Sequence, residues 1–171
     1  EEKGEAPAKR RECTADLSVA ASIPDRYVPS PEQRMDLYRR IARIRTSEDA
    51  DDMTDELIDR FGDPPRTVNN LISVALLRGR AADCAISDIS QKGMSILFTL
   101  DEFDLEHISQ AAGLFPGRVL FSPGDKAVLT LKLKKGEDPL RMASKLVESY
   151  QALIPPEAAK SPGPEGGGGK D

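Results

Sequence analysis

The sequence predicts an α+β fold, in which an N-terminal strand and a three-helix segment precede a ββαββα unit with antiparallel hairpins. Apolar residues recur at helical spacing between residues 31 and 83. After residue 85 the pattern changes to alternation of apolar and polar residues, with turn-forming residues between the alternating runs. Because the helices come first and the hairpins follow, this order favours α+β over a doubly wound parallel sheet.

The first half begins with one weakly alternating strand, which we expect on a sheet edge, and continues with helices. Ser30 followed by Pro31 predicts the start of the first helix. Thr46 or Ser47 caps the second helix, and Gly62 ends it. The predicted elements are a strand at residues 14–23 and helices at about 31–45, 47–61 and 63–83. Their apolar stripes predict the buried residues Leu37, Tyr38, Ile41, Ile44, Ala50, Met53, Leu57, Phe61, Val68, Leu71, Ile72, Ala75 and Leu76.

The second half reads as two hairpins, each followed by a helix. The predicted strands are residues 85–90, 94–100, 118–121 and 127–133, and the predicted helices are 104–114 and a last one capped by Asp138 and Pro139. The residues expected to face inward are Met94, Ile96, Phe98, Leu100, Leu105, Ile108, Ala112, Leu129, Leu131, Leu133, Ala143, Leu146, Val147 and Tyr150.

The chain is expected to form one globular domain at residues 13–154, with a helical part at about 31–83 and an α+β part at about 85–154. Residues 1–12 are rich in charge and lack large apolar side chains, which predicts disorder. Residues 155–171 are rich in Gly and Pro, which predicts a flexible tail. The chain starts without Met, so we expect it to be a piece of a longer protein.

The composition excludes several classes of function. The net charge of the 171 residues is −5, which argues against a general nucleic-acid binder. Aromatic residues make up 5% of the chain and Trp is absent, so a base-stacking surface is not expected. No apolar run reaches the roughly 18–20 residues that a membrane span needs, and we expect no membrane partner.

The residues that usually carry catalysis are scarce. Cys13 and Cys84 are far apart and predict two buried thiols in a reducing compartment. They cannot supply a zinc site with the single His107, which is expected on a polar helix face. The glycines at 166–169 do not complete a phosphate-binding loop. We therefore expect no cofactor, no metal and no enzymatic activity in this chain.

Two alternatives of other classes remain open. A small hydrolase or metal enzyme could use Asp101, Glu102 and Asp104, although this cluster is more simply a loop and a helix N-terminus. A weak nucleic-acid contact could use Arg39, Arg40, Arg43, Lys132, Lys134 and Lys135, although the net charge opposes it.

The first two helices carry opposite charge. The first is rich in Arg, whereas the second carries seven acidic residues between Ser47 and Asp59 and no basic residue. Asp52, Asp55, Glu56 and Asp59 repeat at i, i+3, i+4 and i+7, which places them on the face opposite the apolar stripe. Like charges at this spacing repel by a few tenths of a kcal/mol each. The face is therefore either an interface for a basic partner or a solvated surface partly neutralised by the first helix.

Three segments resemble a known family. They are Ile-Pro-Asp-Arg-Tyr-Val-Pro at 23–29, Gln-Arg-Met-Asp-Leu-Tyr-Arg-Arg-Ile at 33–41 and Glu-Leu-Ile-Asp-Arg-Phe-Gly-Asp-Pro-Pro at 56–65. Their order and spacing resemble the C-terminal domain of the bacterial transcription-repair coupling factor (Mfd) family. The resemblance is strong over residues 13–80 and rests mainly on element order over 85–154.

The resemblance implies a function that periodicity does not show. The family is an ATP-driven DNA translocase that displaces stalled RNA polymerase and recruits UvrA for nucleotide excision repair in the bacterial cytoplasm. Its C-terminal domain is non-catalytic, packs on the factor's own UvrB-like N-terminal module and masks the UvrA-binding surface. A weak nucleic-acid or RNA-polymerase-contacting accessory module is the alternative.

Only a few residues carry this implied role. Acids at the matching positions of the family motif face basic residues of the UvrB-like module, which implies that Glu56 and Asp59 are interface anchors, with Asp52 and Asp55 as weaker support. Phe61 and Gly62 are expected to be structural. No direct nucleic-acid partner is expected.

Overall fold

The computed structural model describes residues 11–154, and these residues form the predicted α+β fold with five helices and one five-stranded sheet. The elements in chain order are β1 (Thr14–Asp16), α1 (Pro31–Ile41), α2 (Ser47–Phe61), α3 (Arg66–Asp83), β2 (Ile86–Lys92), β3 (Ser95–Leu100), α4 (Leu105–Gly113), β4 (Val119–Ser122), β5 (Ala127–Lys132) and α5 (Pro139–Leu153). Most of the predicted disordered segment at 1–12 and the whole predicted tail at 155–171 lie outside the described residues. Within 11–154, no helix is long and apolar enough to cross a membrane.

The N-terminal strand is much shorter than the predicted residues 14–23. It pairs in parallel with β2 at the edge of the sheet, as expected for an edge strand, but ends at Asp16. Beyond it the Ser18 amide still donates to the Gln91 side chain of β2, but the backbone then bonds to the helical part: the Ser22 amide donates to the Thr67 carbonyl and the Asn70 side chain donates to the Ala20 carbonyl. The segment 17–23 therefore connects the sheet to the helices.

The starts of α1, α2 and α5 follow the caps that the sequence predicts, whereas α3 begins at Arg66 instead of residue 63 and has Pro65 at its N-cap without a side-chain hydrogen bond. Ser30 and Thr46 accept backbone hydrogen bonds at the starts of α1 and α2, and Gly62 ends α2 with a positive φ of 85°. The first helix ends at Ile41 instead of Arg45. Its last turns tighten to i→i+3 hydrogen bonds, including one from the Ile44 amide to the Ile41 carbonyl, and Ile44 is still buried.

The sheet has the order β1-β2-β3-β5-β4, and every pair other than β1–β2 is antiparallel. Alternate residues of β3 and β5 pack against α3, α4 and α5 on one face of the sheet. Three residues predicted to be buried are exposed: Tyr38 at 38%, Met94 at 53% and Leu105 at 63%. Tyr38 lies on α1, where its hydroxyl accepts a hydrogen bond from the Ile23 amide. Met94 lies in the turn before β3, and Leu105 is the first residue of α4, whose buried side is formed by Ile108 and Ala111.

The buried side chains form two hydrophobic cores. One joins α1, α2 and the first part of α3, and the other joins the sheet with the last part of α3, α4 and α5. Val68, Ile72 and Ala75 of α3 belong to the first core, whereas Leu77 and Ala81 belong to the second. Helix α3 is therefore the element that both parts of the fold share.

Candidate protein interface on the second helix

Helix α2 has a buried apolar side and an exposed acidic side. Ala50, Met53 and Leu57 are buried in the helical core, as the sequence predicts. The helix starts with a capping box in which the Thr46 hydroxyl accepts from the Asp49 amide and the Asp49 carboxylate accepts from the Thr46 amide. These two reciprocal hydrogen bonds fix the first turn, so the helix geometry sets the outward direction of the acids that follow.

Three of the four predicted site residues lie together on that exposed side. Asp52, Asp55 and Asp59 are all exposed, and none of them makes an ion pair with another residue in 11–154. We call these three residues the acidic face. Arg40 and Arg43 line a shallow cavity together with Asp52, but neither comes within ion-pair distance of it. A helix surface with three carboxylates that make no ion pair presents a concentrated negative potential to solvent.

The fourth predicted residue, Glu56, lies at the flank of α2 and faces α1. Its Oε2 atom accepts a hydrogen bond of 2.9 Å from Nη1 of Arg40 and another of 2.9 Å from Nη1 of Arg60. Arg40 Nη2 also donates to Glu56 Oε1, so the contact between α1 and α2 is a bidentate ion pair. Glu56 is therefore neutralised within the domain, in contrast to the acidic face.

The two guanidinium groups change the acidity of Glu56. Hydrogen bonds from Arg40 and Arg60 lower the pKa of the Glu56 carboxyl from 4.5 to about 2. The same contact raises the pKa of Arg40 above its ordinary value. Both groups are therefore charged at neutral pH, and the pair holds α1 against α2.

The three sequence segments that carry the family resemblance meet in space. The Tyr27 hydroxyl donates to the Gly62 carbonyl at 2.7 Å, and the Ile23 amide donates to the Tyr38 hydroxyl at 2.8 Å. The Tyr27 ring also contacts the Phe61 ring, with centroids 5.7 Å apart. Each segment is thus bonded to another, which explains in physical terms why these residues occur together.

The partners of Glu56 were not identified from the sequence. The Glu56–Arg60 pair is visible as an i,i+4 spacing on one helix. The Arg40 contact joins residues 16 positions apart and depends on how α1 packs beside α2. Only the Arg-rich composition of the first helix indicated it. The interface role of Glu56, Asp59, Asp52 and Asp55 stays a prediction.

The cluster considered for a hydrolase has other contacts. Arg11 pairs with Glu102 at 2.8 Å and lies 4.0 Å from Asp101. The Asp104 carboxylate accepts from the Glu106 amide and caps α4. In the described part of the chain, no three or more His, Cys, Asp or Glu side chains are grouped so that they could hold a metal ion.

A small cavity of about 340 Å³ beside this cluster contains the remaining groups with catalytic potential. It is lined in part by half-buried His107 and by buried Cys84 and Tyr150. Burial raises the pKa of the Cys84 thiol and of the Tyr150 hydroxyl to about 12 each. The other thiol, Cys13, is also buried, with its pKa raised to about 12 by the same cause. Thiols this weakly acidic are protonated at neutral pH and are poor nucleophiles.

The basic residues considered for a nucleic-acid contact fall in two places. Arg39 and Arg43 are exposed on or just after α1, where Arg40 is occupied by Glu56. Lys132 is the last residue of β5, and Lys134 and Lys135 lie in the loop between β5 and α5.

Comparison with known proteins identifies the family. The family model described as TRCF domain matches residues 17–110. This chain belongs to the TRCF domain family. The match covers the connector after β1, helices α1 to α3, the β2–β3 hairpin and most of α4. It therefore includes the acidic face and all three sequence segments described above.

Curated relatives of this TRCF domain are transcription-repair-coupling factors. One from Bacillus subtilis (strain 168) is 30% identical over 127 residues, which cover 74% of this chain and 10% of the relative. One from Staphylococcus haemolyticus (strain JCSC1435) is 28% identical over 153 residues, which cover 90% of this chain and 12% of the relative. This TRCF domain therefore spans about a tenth of the length of the relatives it matches.

A solved structure has the same fold. It is the crystal structure of the C-terminal domain of transcription-repair coupling factor, with a TM-score of 0.76 and 18% sequence identity. The match covers 85% of this chain and 96% of that chain. The agreement extends well beyond residue 110, so the second hairpin and α5 belong to the same fold as the part matched by the family model.

Proposed function

We propose that this chain is the non-catalytic C-terminal regulatory domain of a transcription-repair coupling translocase of the bacterial cytoplasm. It packs through the acidic face on the UvrB-like N-terminal module of that factor and thereby masks the UvrA-binding surface. RNA polymerase engages the same factor and acts on this domain indirectly. The observation that carries the proposal is the acidic face itself: three exposed carboxylates that make no ion pair within residues 11–154, in a chain that belongs to the TRCF domain family.

The energetics favour a partner over a simply solvated surface. Asp52, Asp55 and Asp59 are spaced at i, i+3 and i+7, and Asp55 and Asp59 form a repulsive i,i+4 pair. Arg60, the one base of α2, is directed to Glu56 and leaves that repulsion uncompensated. Exposed ion pairs are worth only about 0–1 kcal/mol. Close charge pairs that lose solvent in an interface couple by about 1.5–7 kcal/mol. A basic partner surface therefore converts a weak repulsion into a measurable attraction.

Glu56 contributes in a different way from the acidic face. Its carboxylate is bound by Arg40 and Arg60, so it holds α2 in place against α1. Because α2 carries the acidic face, this pair sets the angle at which the three carboxylates are presented. In this proposal Glu56 is a positioning residue, and Asp59, Asp55 and Asp52 contact the partner.

The test is a calorimetric titration of the domain against a separately produced UvrB-like module at low salt and at about 0.3 M salt. The isolated pair is expected to bind weakly, because a covalent tether normally supplies the effective concentration. The variant Asp55→Lys/Asp59→Lys reverses two acids of the face, whereas Glu106→Lys/Asp125→Lys makes the same charge change at exposed positions of α4 and the β4–β5 turn.

The proposal predicts salt-sensitive binding that the first variant abolishes and the control variant preserves. Equal weakening by both variants would mean that only net charge matters. Binding that neither variant affects would place the contact on another surface. Circular dichroism and urea unfolding of each variant show that the changes act on binding and not on the fold.

A further inference from the structure

One end of the sheet collects basic side chains on the face opposite to α3, α4 and α5. Ser95 of β3 is in register with Lys92 of β2 and with Lys132 of β5, and the Lys132 amide donates to the Arg118 carbonyl. Side chains directly opposite each other on neighbouring strands lie on the same face of a sheet. With about 4.8 Å between neighbouring strands, Lys92 and Lys132 are roughly 10 Å apart. These four residues therefore form one row across the sheet.

The chain after β5 adds two more lysines to this end. The Leu133 amide donates to the Met94 carbonyl, so residue 133 still runs beside the β2–β3 turn. Leu133 is buried between exposed Lys132 and exposed Lys134, which places these two lysines on the same side of the chain, about 7 Å apart. Lys135 follows and is also exposed. We call Lys92, Lys132, Lys134 and Lys135 the lysine patch.

A count of every charge at this end of the sheet leaves an excess of positive charge. Two acids lie here, and both keep their charge: Glu137 pairs with Arg118, and Asp138 caps α5. Residues 92–95, 118 and 132–138 together hold five bases and two acids, which gives a net charge of +3 in a chain whose net charge is −5. The lysine patch itself makes no ion pair within residues 11–154.

Hydroxyl groups continue from the lysine patch across the same face. Ser90 and Thr130 lie in the next row of the sheet, on either side of Leu97. Ser and Thr hydroxyls donate to phosphate oxygens, as Lys does. Thr130 separates Leu97 from exposed Leu120, so the apolar side chains of this row are not continuous. Because protein interfaces are built around an apolar core, this face fits a phosphate backbone better than an acidic protein surface.

The same two rows favour a duplex over a single strand. Single strands are held by bases that stack on aromatic rings, and neither row contains an aromatic residue. Duplex DNA carries one negative charge per roughly 1.7 Å of its axis, so lysines spread over about 10 Å meet phosphates in any register. Such contacts position a protein on the duplex without reading its sequence.

We infer that the lysine patch binds the phosphate backbone of duplex DNA without sequence preference. Lys92, Lys132 and Lys134 contact phosphates, and the Ser95 hydroxyl between two of them donates to the same backbone. The net charge of the whole chain opposes nucleic-acid binding, but much of the negative charge is concentrated on α2. The inference rests on the lysine patch alone and is independent of the proposed function.

The test measures the fluorescence anisotropy of a labelled 16-base-pair DNA duplex titrated with the full chain at 50 and at 200 mM salt. Lys132→Gln/Lys134→Gln removes two of the three lysine contacts. Arg39→Gln/Arg43→Gln removes two exposed bases of the helical part and changes the net charge by the same amount. A poly-Glu peptide serves as a competitor, and ¹⁵N amide spectra of the full chain locate the contact.

The salt dependence gives the expected values. With three phosphates contacted, the Kd of the parent should rise about 40-fold between 50 and 200 mM salt. One contact remains in Lys132→Gln/Lys134→Gln, so this rise should shrink to about fourfold, and the Kd at 50 mM salt should be about tenfold higher or more. Arg39→Gln/Arg43→Gln should keep the rise of about 40-fold. Amide shift changes should be confined to residues 92–97 and 130–136.

Equal loss of affinity in both variants would overturn the inference, because net charge alone would then govern binding. Displacement of the duplex by poly-Glu at an equal concentration of charge would overturn it as well, since it assigns the lysine patch to an acidic protein. Shift changes on other surfaces, or no change in anisotropy at about 0.5 mM protein and 50 mM salt, would do the same. Urea unfolding of both variants shows whether they are folded.

Discussion

At Gly79, α3 approaches the backbone between α1 and α2 closely. A Cβ atom at this residue would lie 2.8 Å from the Arg45 Cα and 3.1 Å from the Ile44 carbonyl oxygen. These atoms belong to the backbone between α1 and α2, which cannot swing aside as a side chain can. The backbone is also fixed, because the Arg45 and Thr46 amides both donate to the Asp49 carboxylate.

The substitution Gly79→Ala therefore tests this approach. Ala is favoured over Gly in a helix by about 1 kcal/mol. Overpacking a well-filled site costs about 1–3 kcal/mol, and the upper part of that range applies because the neighbours are fixed backbone. The free energy of unfolding should fall by about 1–2 kcal/mol.

Gly113 provides the matched control. It is the last residue of α4, and a Cβ atom there would meet nothing within 4 Å. Gly113→Ala should leave the free energy of unfolding unchanged or raise it by up to about 1 kcal/mol. The same chemical change thus has opposite expected signs at two helical positions.

Urea unfolding followed by circular dichroism measures both effects. With an m-value of about 2 kcal/mol per M, the Gly79→Ala midpoint should fall by about 0.5–1 M. A Gly79→Ala protein as stable as the parent would refute the packing of α3 on this loop. Equal destabilisation by Gly113→Ala would attribute the effect to the Gly→Ala change itself and not to the close approach at Gly79.

Three further outcomes follow from single contacts. The pKa of Glu56 is lowered to about 2, so its ion pair stabilises the fold above pH 4.5 and loses this effect as the pH falls towards 2. The difference in the free energy of unfolding between the parent and Glu56→Gln should therefore shrink over that range in urea titrations. A constant difference would contradict the pairing. Ala85 has a φ of 63°, a backbone conformation that strains a residue with a Cβ atom. Thermal unfolding should therefore show a free energy of unfolding that rises by up to about 1 kcal/mol in Ala85→Gly and falls in Ala85→Val. A destabilised Ala85→Gly protein would argue against this strain. Cys13 and Cys84 are buried with pKa values of about 12, so both should react with a thiol reagent only at the rate of unfolding, and rapid reaction of either in native conditions would show an open path to it.

The order of the helices and strands could be predicted from the sequence because each element has a local cause. Ser30, Thr46 and Asp138 accept backbone hydrogen bonds at the starts of three helices, and Gly62 ends α2. The positions at which the structure differs from the sequence-based prediction depend on non-local contacts. The segment after Asp16 leaves the sheet because α3 offers it hydrogen-bond partners, and no local pattern contains that information.

In the candidate site, too, the features that depend on one helix could be predicted from the sequence, and those that depend on tertiary contacts could not. Helical periodicity alone places Asp52, Asp55 and Asp59 opposite the buried stripe, and the structure has them exposed. Periodicity also placed Glu56 with them, but the helix flank it occupies lies beside α1, where Arg40 neutralises it. The difference between a free and a neutralised carboxylate depends on tertiary packing, which one helix cannot reveal.

The shared helix α3 determines how the domain can be divided. Its 18 residues extend over about 27 Å, and its two ends are buried in different cores. Cutting the chain after α3 would leave the sheet without one of the helices that cover it. Cutting before α3 would leave α1 and α2 without the helix on which they pack. Neither half holds a complete hydrophobic interior, so heating should melt both in a single calorimetric transition. A fragment designed to isolate the acidic face must therefore carry the sheet with it.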